Sequence, residues 1–270
     1  MLFERTPMDL PVERWLAAVP RRSSRRNFES RPLEEDERRR LESACREFRP
    51  FAEARVELVL EPAAGVFKGI IGSYGRVTGA PCYLAVIGDM DSGRVQECAG
   101  YTGEGLVLEA TASGLATCWV GGFFERRAVS GQVRLSASER VLAVIPVGRA
   151  RPKPGLTDRS FKFFIGARHR KPLVELVSDA GALAEGVRKG LEAARLAPSA
   201  YNRQPWRFEI EAGAVLVRAT GEEPVSKISR RLDCGIAMLH FELGVQAAGL
   251  SGDWEFLPPP SVARFRLLGP

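Results

Sequence analysis

The apolar positions of the chain follow two rhythms. Leu10, Val12, Trp15, Leu16 and Val19 recur at helical spacing and predict a short amphipathic helix over 10–19 that stops near Pro20. A second helix is predicted from about Glu34 to Arg46, and a strand where Arg55-Val56-Glu57-Leu58-Val59-Leu60 alternates. Cys82 to Gly88 and Arg140 to Gly148 are almost continuously apolar, as strands covered on both faces are. Between them, Gly100 to Leu115 reads as a helix whose small residues allow close packing. Later, Val187, Leu191, Ala194 and Leu196 mark a helix that ends at Pro198, and Trp206-Arg207-Phe208-Glu209-Ile210 marks the strand that follows.

The pattern then repeats. Gly100, Gly114, Leu115 and Trp119 recur as Gly235, Gly249, Leu250 and Trp254, each displaced by 135 positions. Upstream, Ser43-Ala44-Cys45-Arg46 with its strand from Arg55 matches Glu192-Ala193-Ala194-Arg195 with its strand from Trp206. Downstream, the strand ending at Gly148 matches Phe265 to Gly269. Elements recurring in one order point to an internal duplication. The chain therefore reads as an α+β fold holding two versions of one unit, packed as an intramolecular pseudo-dimer with a ligand site at the seam. The first half spans 1–155, a basic linker 156–171, and the second half 172–270.

Composition narrows the setting. The chain has 270 residues, 45% of them hydrophobic, enough for a full core in one large domain or two small ones. No run approaches the roughly 18 apolar residues of a membrane helix, and the first residues lack secretory character, so a cytoplasmic address is expected. Five scattered cysteines without CxxC spacing and two histidines indicate neither a disulfide framework nor a metal site. The net charge of +6 is carried mostly by arginines spread along the chain. That distribution favours bound phosphate or a compositional habit over nucleic acid, and no RNP-like aromatics or recognition helix accompany it.

Three loops carry candidate chemistry. Arg21-Arg22-Ser23-Ser24-Arg25-Arg26 between two helices can direct guanidinium forks and a hydroxyl at one anion, or can be a solvated basic linker. Gly121-Gly122 removes the Cβ obstacles to a flat ligand, although Gly114 alone would satisfy a plain helix C-cap. Pro198 to Trp206 displays Ser199, Asn202 and Gln204 between packed elements, with Pro205 expected to hold Gln204 extended. The plainer alternative is that Ser and Asn only terminate a helix.

On these motifs the sequence resembles the FMN-dependent nitroreductases. Arg-Arg-Ser-x-Arg stands at 21–25, Gly-Leu-x-x-Cys-Trp-x-Gly-Gly-Phe at 114–123, Arg-x-Arg-Lys-Pro at 168–172 and Pro-Ser-x-x-Asn-x-Gln-Pro-Trp at 198–206. The order departs from the family, where the Asn-x-Gln-Pro-Trp loop follows the Arg-Arg-Ser motif directly. Here Glu47 to Ala54 holds that place and the loop appears only in the second half. The resemblance is thus to a tandem variant, a monomer doing what a homodimer does, with one intact flavin site per chain.

The resemblance implies that Arg21 and Ser23, with Arg168 and Arg170, hold the FMN phosphate. Arg25 and Arg76 would lie near N1 and O2 of the ring, where positive charge favours the reduced form. Gly121 and Gly122 would turn backbone N–H groups toward N5, while Ser199 and Asn202 line the ring from the other half and Ser73 lies in the region of a ring contact. Arg22, Val120 and Pro198 complete the implied cofactor site. No side chain is needed as acid or base, because the flavin supplies the chemistry. The implied reaction is electron transfer from NAD(P)H, a transient co-substrate, through FMN to a nitroaromatic, quinone or similar small acceptor. Alternatives are a flavin-dependent dehydrogenase or dehalogenase of one metabolite, and a flavin-binding protein without turnover.

Overall fold

The computed structural model describes residues 8–67, 77–152, 169–178, 183–221 and 228–268. Its centre is a pair of packed helices, α3 (Val95–Ala112) and α7 (Arg230–Ala247). Both are buried almost throughout, as helices without a polar face must be. Each has 18 residues, and both their ends lie 135 positions apart. Each is closed by a left-handed glycine, Gly114 at φ 80° and Gly249 at φ 79°. Beyond them, Leu115 N–H donates to Ala110 O at 2.9 Å and Leu250 N–H to Val245 O at 3.2 Å, the six-to-one bond that satisfies orphan carbonyls at a helix end. Gly114 thus closes the helix as its sequence permitted, in the left-handed position just past the cap residue Ser113.

The helices meet backbone to backbone. A Cβ on Gly100 would collide with the Leu232 carbonyl, and one on Gly235 with the Glu97 carbonyl. The two contacts are reciprocal, since Gly235 and Leu232 lie 135 positions beyond Gly100 and Glu97. Nearby, Arg231 closes a two-pronged ion pair onto the buried Glu97, its Nε 2.9 Å from Oε2.

A sheet flanks each side of this pair. The first has the order β1 (Ala54–Val59), β2 (Cys82–Asp89), β4 (Glu139–Gly148), β3 (Ala116–Thr117), antiparallel throughout. The second runs β5 (Val177–Ser178), β6 (Trp206–Glu211), β7 (Ala214–Ala219), β9 (Ser261–Leu268), β8 (Ser251–Phe256), with only β5–β6 parallel. Leu84 and Val86 of β2 face the central core, while Tyr83, Ala85 and Ile87 face a second core with Phe28 and Val144. This two-sided burial is what the continuous apolar runs predicted. Helices α1 (Val12–Ala18), α2 (Glu35–Glu47) and α6 (Glu185–Arg195) cover the centre, with short α4 (Arg126–Ser130) and α5 (Leu173–Leu176) at the periphery.

The helix expected over 100–115 in fact begins at Val95, because Val95, Cys98 and Ala99 are buried and extend the apolar surface one turn upstream. Among the described residues no helix is long and apolar enough to cross a membrane.

Candidate functional site

A cleft lies between early and late segments of the chain. Ser24, Trp119 and Gly121 line it from one side, and Pro198, Ser199 and Tyr201 from the other. Ile228 and the first turns of α7, with Leu232, Asp233 and Ile236, form its floor. Its empty space, open mouth included, amounts to about 530 Å³. At Gly121 an added Cβ would come no closer than 3.4 Å to the Ile228 side chain, so the glycine keeps the cleft wide rather than relieving a backbone clash.

The loop 198–206 is held in an unusual shape. Tyr201, Asn202 and Gln204 have φ values of 52°, 54° and 47°, and they are the non-glycine residues with left-handed backbone among those described. Such conformations cost on the order of 1–3 kcal/mol each and persist where surrounding contacts impose them. Here the contacts are explicit. Ser199 Oγ accepts the Gln204 N–H at 2.9 Å, and the Gln204 carboxamide oxygen accepts the Lys171 N–H at 2.9 Å. Asp233 accepts from Ala200 N–H at 3.1 Å and from Arg203 Nε at 2.7 Å. Gln204 is therefore not extended, as its position before Pro205 predicts: the hydroxyl of Ser199 and the strand start at Trp206 bend the backbone into the left-handed region instead.

Asp233 is the carboxylate of this cleft. Burial pushes its carboxyl up to about 6, with Arg203 and the Ala200 N–H offsetting only part of the shift. Nothing in the sequence distinguished it, since an acidic residue in a first helical turn is ordinary.

Cations from both halves meet beside the cleft. Arg170 Nη1 donates to Asn202 Oδ1 at 2.8 Å, and Asn202 Nδ2 donates to His169 O at 2.8 Å. Arg22, from the first half, lies close enough that its charge, together with Arg195 and the larger effect of burial, lowers Arg170 to about 10. The Arg22 guanidinium is itself pushed down by burial, only partly offset by Glu104, whose Oε1 is 4.0 Å from Arg22 Nε. That Nε is buried and has no hydrogen-bond partner among the described residues. Buried cations crowded together in this way call for an anion. The residues therefore fit the phosphate of a flavin nucleotide.

The remaining expected site residues fall in several places. Arg21, Ser23 and Arg25 line a separate, open groove with Thr117, Arg151 and Pro152. The split follows from the extended backbone, which pairs Ser24 with Thr117 and turns alternate side chains to opposite faces. Arg25 Nη2 donates to Arg151 O at 3.0 Å, and Arg21 Nε to Ala17 O at 3.2 Å. Val120 exchanges both backbone hydrogen bonds with Val144, so its main chain is occupied, while Gly122 is exposed at the rim. Asn202 supports Arg170 rather than lining the cleft. Ser73, Arg76 and Arg168 lie outside the described residues.

At an offset of 135 positions from the cleft residues stand Trp254 for Trp119, Phe256 for Gly121 and, upstream, Tyr101 for Ile236. Phe51 packs edge-on against Phe256 and against Tyr101, at 5.2 Å each, and Arg94 lies 5.0 Å over the Phe256 ring. Aromatic side chains occupy this second place where the first has a glycine.

Two sheets around a central helix pair, with a cation-flanked cleft between the halves, define an α+β oxidoreductase fold of the nitroreductase type. Residues 15–245 match the family described as "Putative TM nitroreductase", and the chain belongs to the nitroreductase family. In fold it is similar to a "putative nitroreductase" from Thermotoga maritima MSB8, with 20% identity, 94% of this chain and 93% of that one covered, and a TM-score of 0.63. Weaker likenesses include a nitroreductase family protein from Streptococcus pneumoniae TIGR4, with 18% identity, 61% and 99% covered and TM-score 0.46. Another is an FMN-dependent nitroreductase from Clostridium difficile R20291, with 16% identity, 53% and 91% covered and TM-score 0.42. No curated protein matches the sequence.

Proposed function

We propose that the chain is an FMN-dependent oxidoreductase that takes electrons from NAD(P)H and passes them to a small planar acceptor such as a nitroaromatic or quinone. The observation that carries this reading is the meeting of Arg22 with Arg170 and Asn202 beside a cleft lined by Gly121 and Ser199. Bound there, FMN would supply the hydride chemistry, and the protein would bind and tune it. Arg22 and Arg170 would neutralise the phosphate, with Arg168 joining them as the sequence motif implies. Gly121 leaves room for a flat ring, and Phe123, Tyr201 and Ile228 form an apolar wall against which an aromatic acceptor can lie. Arg21, Ser23 and Arg25 line the neighbouring groove, which would offer an anion a second place.

In this reading residues 1–155 and 172–270 are the two halves of a monomeric pseudo-dimer. The equal lengths of α3 and α7, their matching caps and the reciprocal Gly100 and Gly235 contacts support it. The purified protein should be yellow, should bleach with NADH or NADPH in the absence of air, and should recover its colour when an acceptor is added. A colourless protein that binds no added FMN refutes the proposal. One that binds FMN but is never bleached would be a flavin carrier rather than an enzyme.

A further inference from the structure

Behind Trp119 lies a fully buried pair that neither the family motifs nor the cleft explains. Glu104 of α3 and His240 of α7 are wholly inaccessible, and His240 Nε2 is 2.9 Å from Glu104 Oε1. The other ring nitrogen, Nδ1, is 3.2 Å from Ala193 O. Glu104 Oε2 accepts the Trp119 indole N–H at 2.7 Å. Both ring nitrogens thus face oxygen acceptors. A neutral imidazole has one N–H, so with an ionised Glu104 one of the two contacts would set lone pair against lone pair. Both become hydrogen bonds only when the pair carries one further proton, on Nε2 or on the carboxyl.

That proton changes the charge next to Arg22. Among the described residues Glu104 is the carboxylate paired with the Arg22 guanidinium, at 4.0 Å, yet its two oxygens are turned to Trp119 and His240. Among the described residues, the other charged or titratable groups acting on this corner are Cys118 on Arg22, and Arg22 itself with Arg195 on Arg170. We infer that His240 is a positioning residue. By sharing a proton with Glu104 it keeps that carboxylate from neutralising Arg22, whose charge stays available to an anionic ligand at the seam. The identity of that anion as FMN phosphate rests on the function proposed above.

Two measurements test this. The chain has only two histidines, so ¹⁵N NMR of labelled protein resolves His240 directly. The inference requires a protonated Nδ1 near neutral pH in the protein alone, and a bare Nδ1 overturns it. Binding then reports the consequence. His240→Gln, which keeps one donor toward Glu104 but cannot hold the extra proton, should weaken FMN about tenfold while leaving riboflavin, which lacks the phosphate, unchanged. Glu104→Gln combined with His240→Gln removes the charge as well as the proton, and should restore FMN affinity. Equal loss for FMN and riboflavin, no loss, or no recovery in the double variant overturns the inference. If the wild type binds neither flavin, the proposed function fails, and the NMR result alone decides the proton.

Discussion

Gly100 and Gly235 make reciprocal contacts: each lets its helix approach the backbone of the other, against Leu232 and Glu97 respectively. Neither has left-handed backbone, so the requirement is for space and not for conformation. Alanine at either position would press a methyl group into a carbonyl that belongs to a buried helix and cannot move aside. Each single substitution should destabilise the chain by about 3 kcal/mol, read by urea or thermal unfolding. Near-wild-type stability in both variants would mean that the two helices are packed more loosely than described.

Arg170 and Arg21 separate two versions of the phosphate grip. Arg170 is half-buried beside Arg22 and bonded to Asn202, whereas Arg21 is exposed and faces the neighbouring groove. Arg170→Ala should lower FMN affinity by roughly ten- to a hundred-fold, the value of one charge-assisted contact. Arg21→Ala should cost less, and Arg170→Lys should recover only part, because an ammonium cannot reproduce the fork. Equal losses for Arg21→Ala and Arg170→Ala would show that the phosphate path runs through the groove instead.

Asp233 predicts a pH dependence with a definite sign. Its carboxyl is raised to about 6 in the fold, against about 4 in an unfolded chain. The folded state therefore binds this proton more tightly, and the stability the group confers is greatest below about pH 4 and falls as pH rises toward 6. Asp233→Asn cannot titrate. The stability difference between wild type and variant should change by about 1.4 kcal/mol per pH unit across that window and be constant above it. A difference that stays constant between pH 4 and 6 would show that Arg203 already holds Asp233 ionised across that window.

Stoichiometry follows from the filled counterpart of the cleft. With Phe256 where Gly121 stands in the other half, and Phe51 packed on it, one chain should bind one FMN. Calorimetric titration that saturates at two flavins per chain would contradict both the site and the pairing of the halves.

Much of this architecture was legible in the chain. The 135-residue spacing reappears in the ends of α3 and α7, and the continuous apolar runs became β2 and β4. The strand β7 is signalled by a two-residue turn at Ala212-Gly213 with Gly213 at φ 71°, a cue that the apolar pattern alone does not carry. Short pairings such as β3 and β5 have too few residues to show a period. The site was harder for a different reason. Arg21 and Arg22 look equivalent in sequence, and only the pairing of Ser24 with Thr117 turns neighbouring side chains to opposite faces. Asp233, Glu104 and His240 carry no motif, because what marks them is the company they keep across the seam.

A homodimer must write both of its symmetry-related places with one sequence, so every residue in them serves the ligand twice. On the pseudo-dimer reading proposed above, this chain has no such obligation. Phe51, Tyr101 and Phe256 answer only to packing, while Gly121, Ser199 and Ile236 answer to the cleft. Natural variation should accordingly be lopsided, with apolar exchange accepted freely around Phe256 and refused around Gly121.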